Sequence, residues 1–353
     1  MYTKPRYSLI AMAMWTRRET LLLTLIALVP VVAYEVFGQD WLHLPWLPIA
    51  VVGTAVAFII SFQNNASYDR VWEARKIWGG VVNASRAWGY GVKDFVTNDF
   101  TDDPVPQSQL EEIHAELICR HVAWMTAFRH AMRQPRPWET SLDHPTNREW
   151  AKLIGVREHR MSLEDELAGD LPPDELAYVL SKSNKPTQLL AIQSRRLREL
   201  RTRCLLDDFR HVELQHVLDE LVALQGKSER IKNFPYPRQY ATLNSLFMWI
   251  FVLLLPFGVV HEFDKIGMEI ADQYPLIGRH FVWLSVPFSV LVMWVFNTME
   301  RIGRVSENPF EGTPNDVPIT TISRGIEIDL REMIDQDPSE IPAPIEPQYD
   351  TQT

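Results

Sequence analysis

Apolar residues are not spread evenly along this chain. They gather in four runs, at about Leu21 to Phe37, Trp46 to Phe62, Leu243 to Val260 and Phe281 to Phe296. Each is long enough to be weighed as a membrane-spanning helix. The first contains Pro30 and ends beside Glu35. The second carries Ala50, Gly53, Ala55 and Ala57, small residues that let two helix backbones approach closely. Trp41, Trp46, Trp249, Trp283 and Trp294 stand near the ends of the runs, where interfacial aromatics belong. The first run starts late and has no small-residue cleavage site, so the pattern predicts a retained span rather than a cleaved signal peptide.

Between the second and third runs the periodicity is helical. Leu110, Ile113, Leu117, Ile118, Val122 and Met125 recur at helical spacing. The same period is expected to continue from about Leu190 to Ile231. The stretch "SLEDELAGDLPPDELAYVLSKS" predicts a short helix, a turn at Pro172 and Pro173, and another short helix. The stretch "RQPRPWETSLDHPTNREW" reads as loop. No alternating strand pattern occurs and no internal repeat is found, so the expected class is an all-α membrane protein with four transmembrane helices and a large helical domain. The expected divisions are 1–66 for the N-terminal segment and first two spans, 67–240 for the helical domain, 241–300 for the last two spans, 301–335 for a clasp and helix, and 336–353 for a tail. That tail is rich in Pro and acid and is expected to be disordered unless it docks.

Charge then sets orientation. Lys4, Arg6, Arg17 and Arg18 precede the first run, and Arg70, Arg75, Lys76 and Arg86 follow the second. Lys227, Arg230, Lys232 and Arg238 precede the third, and Arg301 and Arg304 follow the fourth. The connection "GQDWLHLP" has no basic residue, and the loop expected from His261 to His280 has only Lys265 and Arg279, diluted by acids. The positive-inside rule places both termini and the helical domain in the cytoplasm. A net charge of -10 argues against nucleic acid as a partner, which wants a basic surface. Two cysteines, Cys119 and Cys204, make no disulfide framework and read as reduced. No P-loop, H-E-x-x-H or G-x-S-x-G motif is present, so neither an enzyme nor a bound cofactor is expected.

The second run does not stop at a membrane face. It passes without proline into "SFQNNASYDRVWEARKIWG", so one helix is predicted to leave the apolar slab and continue into the polar domain. Thr54, Phe58 and Phe62 lie four apart and share one face of it. Its continuation gains an apolar side from Trp72, Ile77, Trp78, Val81 and Trp88. The run "SFQNNASYDRVWEARKIWGGVVNASRAW" resembles the bacterial bestrophin-like membrane proteins. "SERIKNFPYP", "LLLPFG" and "MERIGRVSENPFEGTPNDVPI" follow in the family's order, and the likeness covers about Trp15 to Leu330. Gln63 stands where the family usually has Arg, Val71 replaces the first Trp of its usual pair, and Glu311-Gly312 interrupts its Pro-Phe-Gly.

The resemblance implies a homopentameric ion channel of an inner membrane, passing small monovalent ions. Its neck positions fall on Thr54, Phe58 and Phe62, and its cytoplasmic aperture on Phe209. Anions such as chloride are favoured by the family; a monovalent cation channel of the same fold, or a non-conducting membrane scaffold, are the alternatives. A ring of Phe offers an ion no oxygen ligands and gates by wetting, while aromatic edges carry partial positive charge. Charge preference is then expected from rings elsewhere, with Asp207 and Asp208 beside Phe209, or Glu262 and Asp264 at the outer mouth, as candidates. A solvated helix face is the plainer expectation for the Asp pair. No metal is expected. Calcium wants six or more oxygens, and the acids Glu307, Glu311 and Asp316 around Asn315 are too interrupted, so this segment reads as a turn or subunit clasp. His211 and His216 do not share a face well enough for a metal. The basic run Arg195, Arg196, Arg198, Arg201 and Arg203 is expected to pair with Glu199, Asp207 or another subunit.

Overall fold

The computed structural model describes Met1–Thr353. Twelve α-helices follow one another: α1 (Leu9–Glu35), α2 (Trp46–Phe95), α3 (Gln107–Arg133), α4 (Pro145–Ile154), α5 (Leu163–Leu167), α6 (Pro173–Leu180), α7 (Lys185–Thr202), α8 (Asp208–Asn233), α9 (Arg238–Ile270), α10 (Pro275–His280), α11 (Ser285–Val305) and α12 (Ile319–Met333). Short 3₁₀ turns occupy Arg157–His159 and Phe281–Leu284. The only extended pairings are isolated bridges at Tyr2–Thr351 and Gln348–Thr351. The chain divides into two compact units, one made of 4–69 and 235–307, the other of 1–3, 70–234 and 308–353.

The first unit is apolar. α1, α9 and α11 pack on one another, and the start of α2 joins them through a core of Leu23, Ala27, Ile49, Val56, Ile60, Met248, Phe251, Val252, Leu255 and Met293. Three helices are long and apolar enough to cross a membrane: α2, α9 and the stretch Pro275–Val305. α1 is shorter in this respect than the sequence pattern suggests. Arg17, Arg18 and Glu19 at one side and Glu35 at the other leave an uncharged stretch of about 15 residues, roughly 22 Å of helix. α9 is longer than expected. It runs on through His261 to Ile270, and α10 fills 275–280, so most of the predicted outer loop is helical. Gly267 and Gly278 explain the fit: a side chain on Gly267 would come within 2.6 Å of the Gly278 carbonyl, so their backbones touch.

The second unit is a helical body whose core is aromatic. Trp78 and Trp88 of α2 and Trp124 and Phe128 of α3 are fully buried. Trp78 stacks on Phe128 at 5.1 Å and Phe128 on Trp124 at 5.4 Å. The indole N–H of Trp124 donates to Gln225 at 3.0 Å, so the ring is buried without losing its polar partner. α7 and α12 both lie against α3. The unit also buries charge: Glu166 accepts from Arg129, Arg157 and, at 2.8 Å, His130. Burial opposes ionisation there, but the cations win and bring the Glu166 carboxyl down to about 2.

Three sequence expectations fail here. The loop predicted over 133–150 turns helical at Pro145, because proline suits a first helical position and His144 caps it by accepting from the Thr146 N–H at 3.2 Å. The period from Leu190 to Ile231 is broken between α7 and α8. Cys204 there has a φ of 57°, and Asp207 accepts from the N–H groups of Phe209 and Arg210 at 2.8 and 3.2 Å, a cap that starts a new helix. The tail predicted as disordered is docked on its own unit. Tyr2 pairs with Thr351, and the Thr321 N–H donates to the Thr353 carbonyl at 2.9 Å. Those backbone bonds do what its composition could not promise. Cys119 and Cys204 are both free thiols.

His121 generates a stability prediction. It is completely buried between α2 and α3, with Nε2 2.9 Å from the Ser85 hydroxyl, and burial pushes its pKa down to about 3. An unfolded histidine takes a proton near pH 6.5. The unfolded state therefore binds more protons between those values, and stability is full above about pH 6.5 and falls as pH drops toward 3. At pH 5 this is worth about 2 kcal/mol. In His121→Gln the loss of stability between pH 7 and pH 5, measured by denaturant unfolding, is expected to shrink by about that amount.

Candidate ion pathway

The membrane-length part of α2 has two unlike faces. Ile49, Gly53, Val56, Ile60, Gln63 and Ser67 are buried, at the three- and four-residue steps of one helical stripe. Gly53 is required by packing: a Cβ there would sit 2.6 Å from the Phe251 ring of α9. Where the stripe becomes polar, each polar group is met. Gln63 accepts from the Asn244 amide at 3.1 Å, Asn64 donates to the Met299 carbonyl at 3.1 Å, and Ser67 donates to the Gly303 carbonyl at 2.7 Å. These bonds tie α2 to α9 and α11. Gln63, which stands in place of the family's usual Arg, is thus a neutral amide paired with another amide.

The other face is bare. Thr54 is exposed, Phe58 is 63% exposed and Phe62 70% exposed. The Thr54 hydroxyl is turned back onto its own helix, donating to the Ala50 carbonyl at 2.9 Å, so its methyl is what the face presents. Two phenyl rings and a methyl make a surface that offers no hydrogen bond.

In the other unit, Phe209 is 87% exposed at the first turn of α8. The acids beside it are not free charges. Asp207 caps α8 and lies 3.3 Å from Arg210. Asp208 is bonded to Arg201, which lowers the carboxyl pKa and raises that of the guanidinium. The basic run is only partly paired in this way: Arg196 also meets Glu116 at 2.8 Å and Glu199 at 3.2 Å. The outer candidates are occupied too. Glu262 pairs with Lys265 at 3.0 Å, and Asp264 accepts from the Tyr34 hydroxyl at 2.8 Å.

The segment from Glu307 to Asp316 is a turn. Asp316 accepts from the N–H groups of Gly312 and Thr313 at 2.7 and 2.8 Å and from the Thr313 hydroxyl at 2.7 Å. Glu311 accepts from Ser141, and Glu307 pairs with Arg238. The acids therefore point to different partners instead of converging. Burial and the nearby Asp316 push the Glu311 carboxyl up to about 8.

Sequence reasoning missed the Gln63–Asn244 pair and the α2–α11 bonds of Asn64 and Ser67. Their partners lie far along the chain, and no spacing rule reaches them.

Fold and site together define a helical membrane protein with a large polar helical unit and an unfilled apolar face on one spanning helix. The profile of the bacterial/fungal bestrophin family matches residues 10–332, and the chain belongs to that family. It is 28% identical over 301 residues to the voltage-dependent anion channel-forming protein YneE of Escherichia coli K12, covering 85% of this chain and 80% of that protein. It is 27% identical over 308 residues to the voltage-dependent anion channel-forming protein RSc3414 of Ralstonia nicotianae, covering 83% and 81%. A crystal structure of a bacterial bestrophin homologue from Klebsiella pneumoniae matches the fold with a TM-score of 0.71 at 22% identity, over 90% of this chain and 98% of that one.

The two faces of α2 respond to mutation in opposite ways. Gly53→Leu drives a side chain into Phe251 and is expected to cost roughly 1–3 kcal/mol. Phe58→Ala combined with Phe62→Ala removes rings with few neighbours in the protomer, and is expected to change protomer stability by less than about 0.5 kcal/mol. Thermal melting of both purified variants in detergent checks the contrast. A large loss in the Phe double variant would place those rings in a packed contact.

Proposed function

We propose that this chain is an anion channel of a bacterial inner membrane, in which five copies surround an axis lined by α2, with Thr54, Phe58 and Phe62 as the neck. The observation that carries the reading is the bare aromatic face opposite a fully packed one. Large phenyl rings on a spanning helix want either a neighbouring chain or a central pore, and a ring of copies supplies both. The family resemblance supports the number five. Phe209, in the helical unit, is proposed as the second, cytoplasmic constriction. α1 is proposed to complete the membrane part beside the three longer helices, with both termini and the helical unit on the cytoplasmic side, as the Lys and Arg distribution requires.

Anions are favoured for two reasons. The curated relatives carry the name of voltage-dependent anion channel-forming proteins. The acids that would have drawn cations, Asp207, Asp208, Glu262 and Asp264, are each engaged by a cation or a hydroxyl of the same chain. The neck itself selects weakly. Its aromatic edges lean toward anions, and its apolar wall makes conduction depend on staying wet.

Planar-bilayer recording of the purified protein under a potassium chloride gradient is expected to give a reversal potential on the chloride side of zero. Phe58→Ala with Phe62→Ala is expected to raise unitary current or open probability, and Thr54→Ala to do less. A reversal potential at the potassium limit would sink the anion reading. Unchanged current in the double variant would remove the neck from α2, and native mass spectrometry showing only monomers or dimers would remove the pentamer.

A further inference from the structure

The helical unit contains a cleft remote from the chemistry discussed above. It lies between α3, the 3₁₀ turn at Arg157 and α12, and Ile345 of the docked tail contributes to its wall. It is narrow and partly open to solvent. Arg129, Arg157 and Arg324 line it against a single lining carboxylate, Glu327. Thr126 also lines it, is only 7% exposed, and its hydroxyl makes no hydrogen bond.

The carboxylates around these arginines are shared, and none but Glu327 lines the cleft. Glu166 is shared by Arg129, His130 and Arg157, and Arg157 spends only its Nε on it. Glu158 takes Arg129 and the Thr320 hydroxyl on Oε1, and its Oε2, which accepts no hydrogen bond, is buried away from the cleft lining. Glu327 is shared by Arg324 at 2.9 Å and Arg331 at 3.0 Å. The remaining hydroxyl on the wall, Ser323, is turned onto the Ile319 carbonyl at 2.7 Å. What faces the free space is therefore a set of guanidinium N–H groups and the Thr126 hydroxyl. Arg324 is held below the ordinary arginine range, by burial first and also by the guanidiniums of Arg157 and Arg129.

We propose that this cleft binds a small monovalent anion of halide size, held by Arg157, Arg324 and the Thr126 hydroxyl. Three features select the class. The enclosed space is small. The wall offers donors and positive charge, so the occupant accepts hydrogen bonds and is negative. A halide is only slightly larger than a water and has no directional demand. Charge-assisted bonds in a half-dry cleft outweigh those of a neutral water. The bound ion would bridge α3, the 157–159 turn and α12, and so fasten the last helix and the tail that covers it to the body of the unit.

The test uses the full chain in detergent and reads no current, so its result is separate from the fate of the channel reading. Melting is compared in sodium bromide and in sodium gluconate at equal ionic strength, and bromide is located by anomalous scattering in soaked crystals. The wild-type chain is expected to melt higher in bromide, with a bromide peak between Thr126, Arg157 and Arg324. Thr126→Val, which keeps shape but removes the hydroxyl, is expected to weaken bromide by about ten-fold or more, the worth of one hydrogen bond to a charged group. Arg324→Gln is expected to abolish the difference between the two salts. The valine variant keeps the question answerable if the glutamine variant does not fold. A bromide-to-gluconate difference unchanged in Thr126→Val, or a cleft holding only water in bromide-soaked crystals, overturns the assignment.

Discussion

Helix α2 has to satisfy two surroundings with one unbroken backbone. It runs for 50 residues, about 75 Å at 1.5 Å per residue, and contributes to both units of the chain. In lipid every backbone polar group must be met inside the helix, and a helix without interior proline meets that demand along its length. Its side chains then change role while its hydrogen bonds do not. In the apolar unit its buried stripe relies on Gly53 and aliphatic side chains. In the helical unit the same rotation presents Trp78 and Trp88 to a core of stacked rings.

The transition between these regimes is carried by amides and hydroxyls rather than by charge. Gln63, Asn64 and Ser67 each find a partner on α9 or α11. Neutral hydrogen-bonded groups are cheaper to bury than ions. The charges begin at Asp69, which is exposed, and at Arg70, which donates to the carbonyls of Ile231 and Phe234 at the end of α8. This order leaves α2 free of fixed charge from Trp46 to Tyr68, so in the proposed neck an ion meeting Phe58 and Phe62 would meet no charged ligand.

The helical unit handles its ions differently. It buries several arginines, and Glu116, Glu158, Glu166 and Glu327 each serve more than one cation or hydroxyl. Such networks are costly to break, because removing one member strands the others. The proposed anion cleft beside Thr126 lies at the edge of one such network. Glu311 shows the opposite case: burial near Asp316 holds its carboxyl up to about 8, so near neutral pH this turn keeps a largely neutral acid.

Much of this protein was legible in its residues. Three of the four apolar runs marked helices long and apolar enough to span, and the absence of proline after Ile60 foretold that α2 would continue. The four-residue spacing of Thr54, Phe58 and Phe62 put them on one face, because helical geometry is local. The family motif assigned that face a role that spacing alone left open. What the sequence could not say was which charges are available. Asp208 looks like a free acid beside Phe209, and only the turn at Cys204 brings Arg201 onto it. The tail read as disordered from its composition, and only the docking of Thr351 and Thr353 on distant residues orders it. In each case the deciding partner is remote in the chain, or is reached only through a turn such as the one at Cys204. Periodicity and composition record what a residue is and what its near neighbours are; pairing, neutralisation and burial depend on which distant residue the tertiary structure brings within about 3 Å.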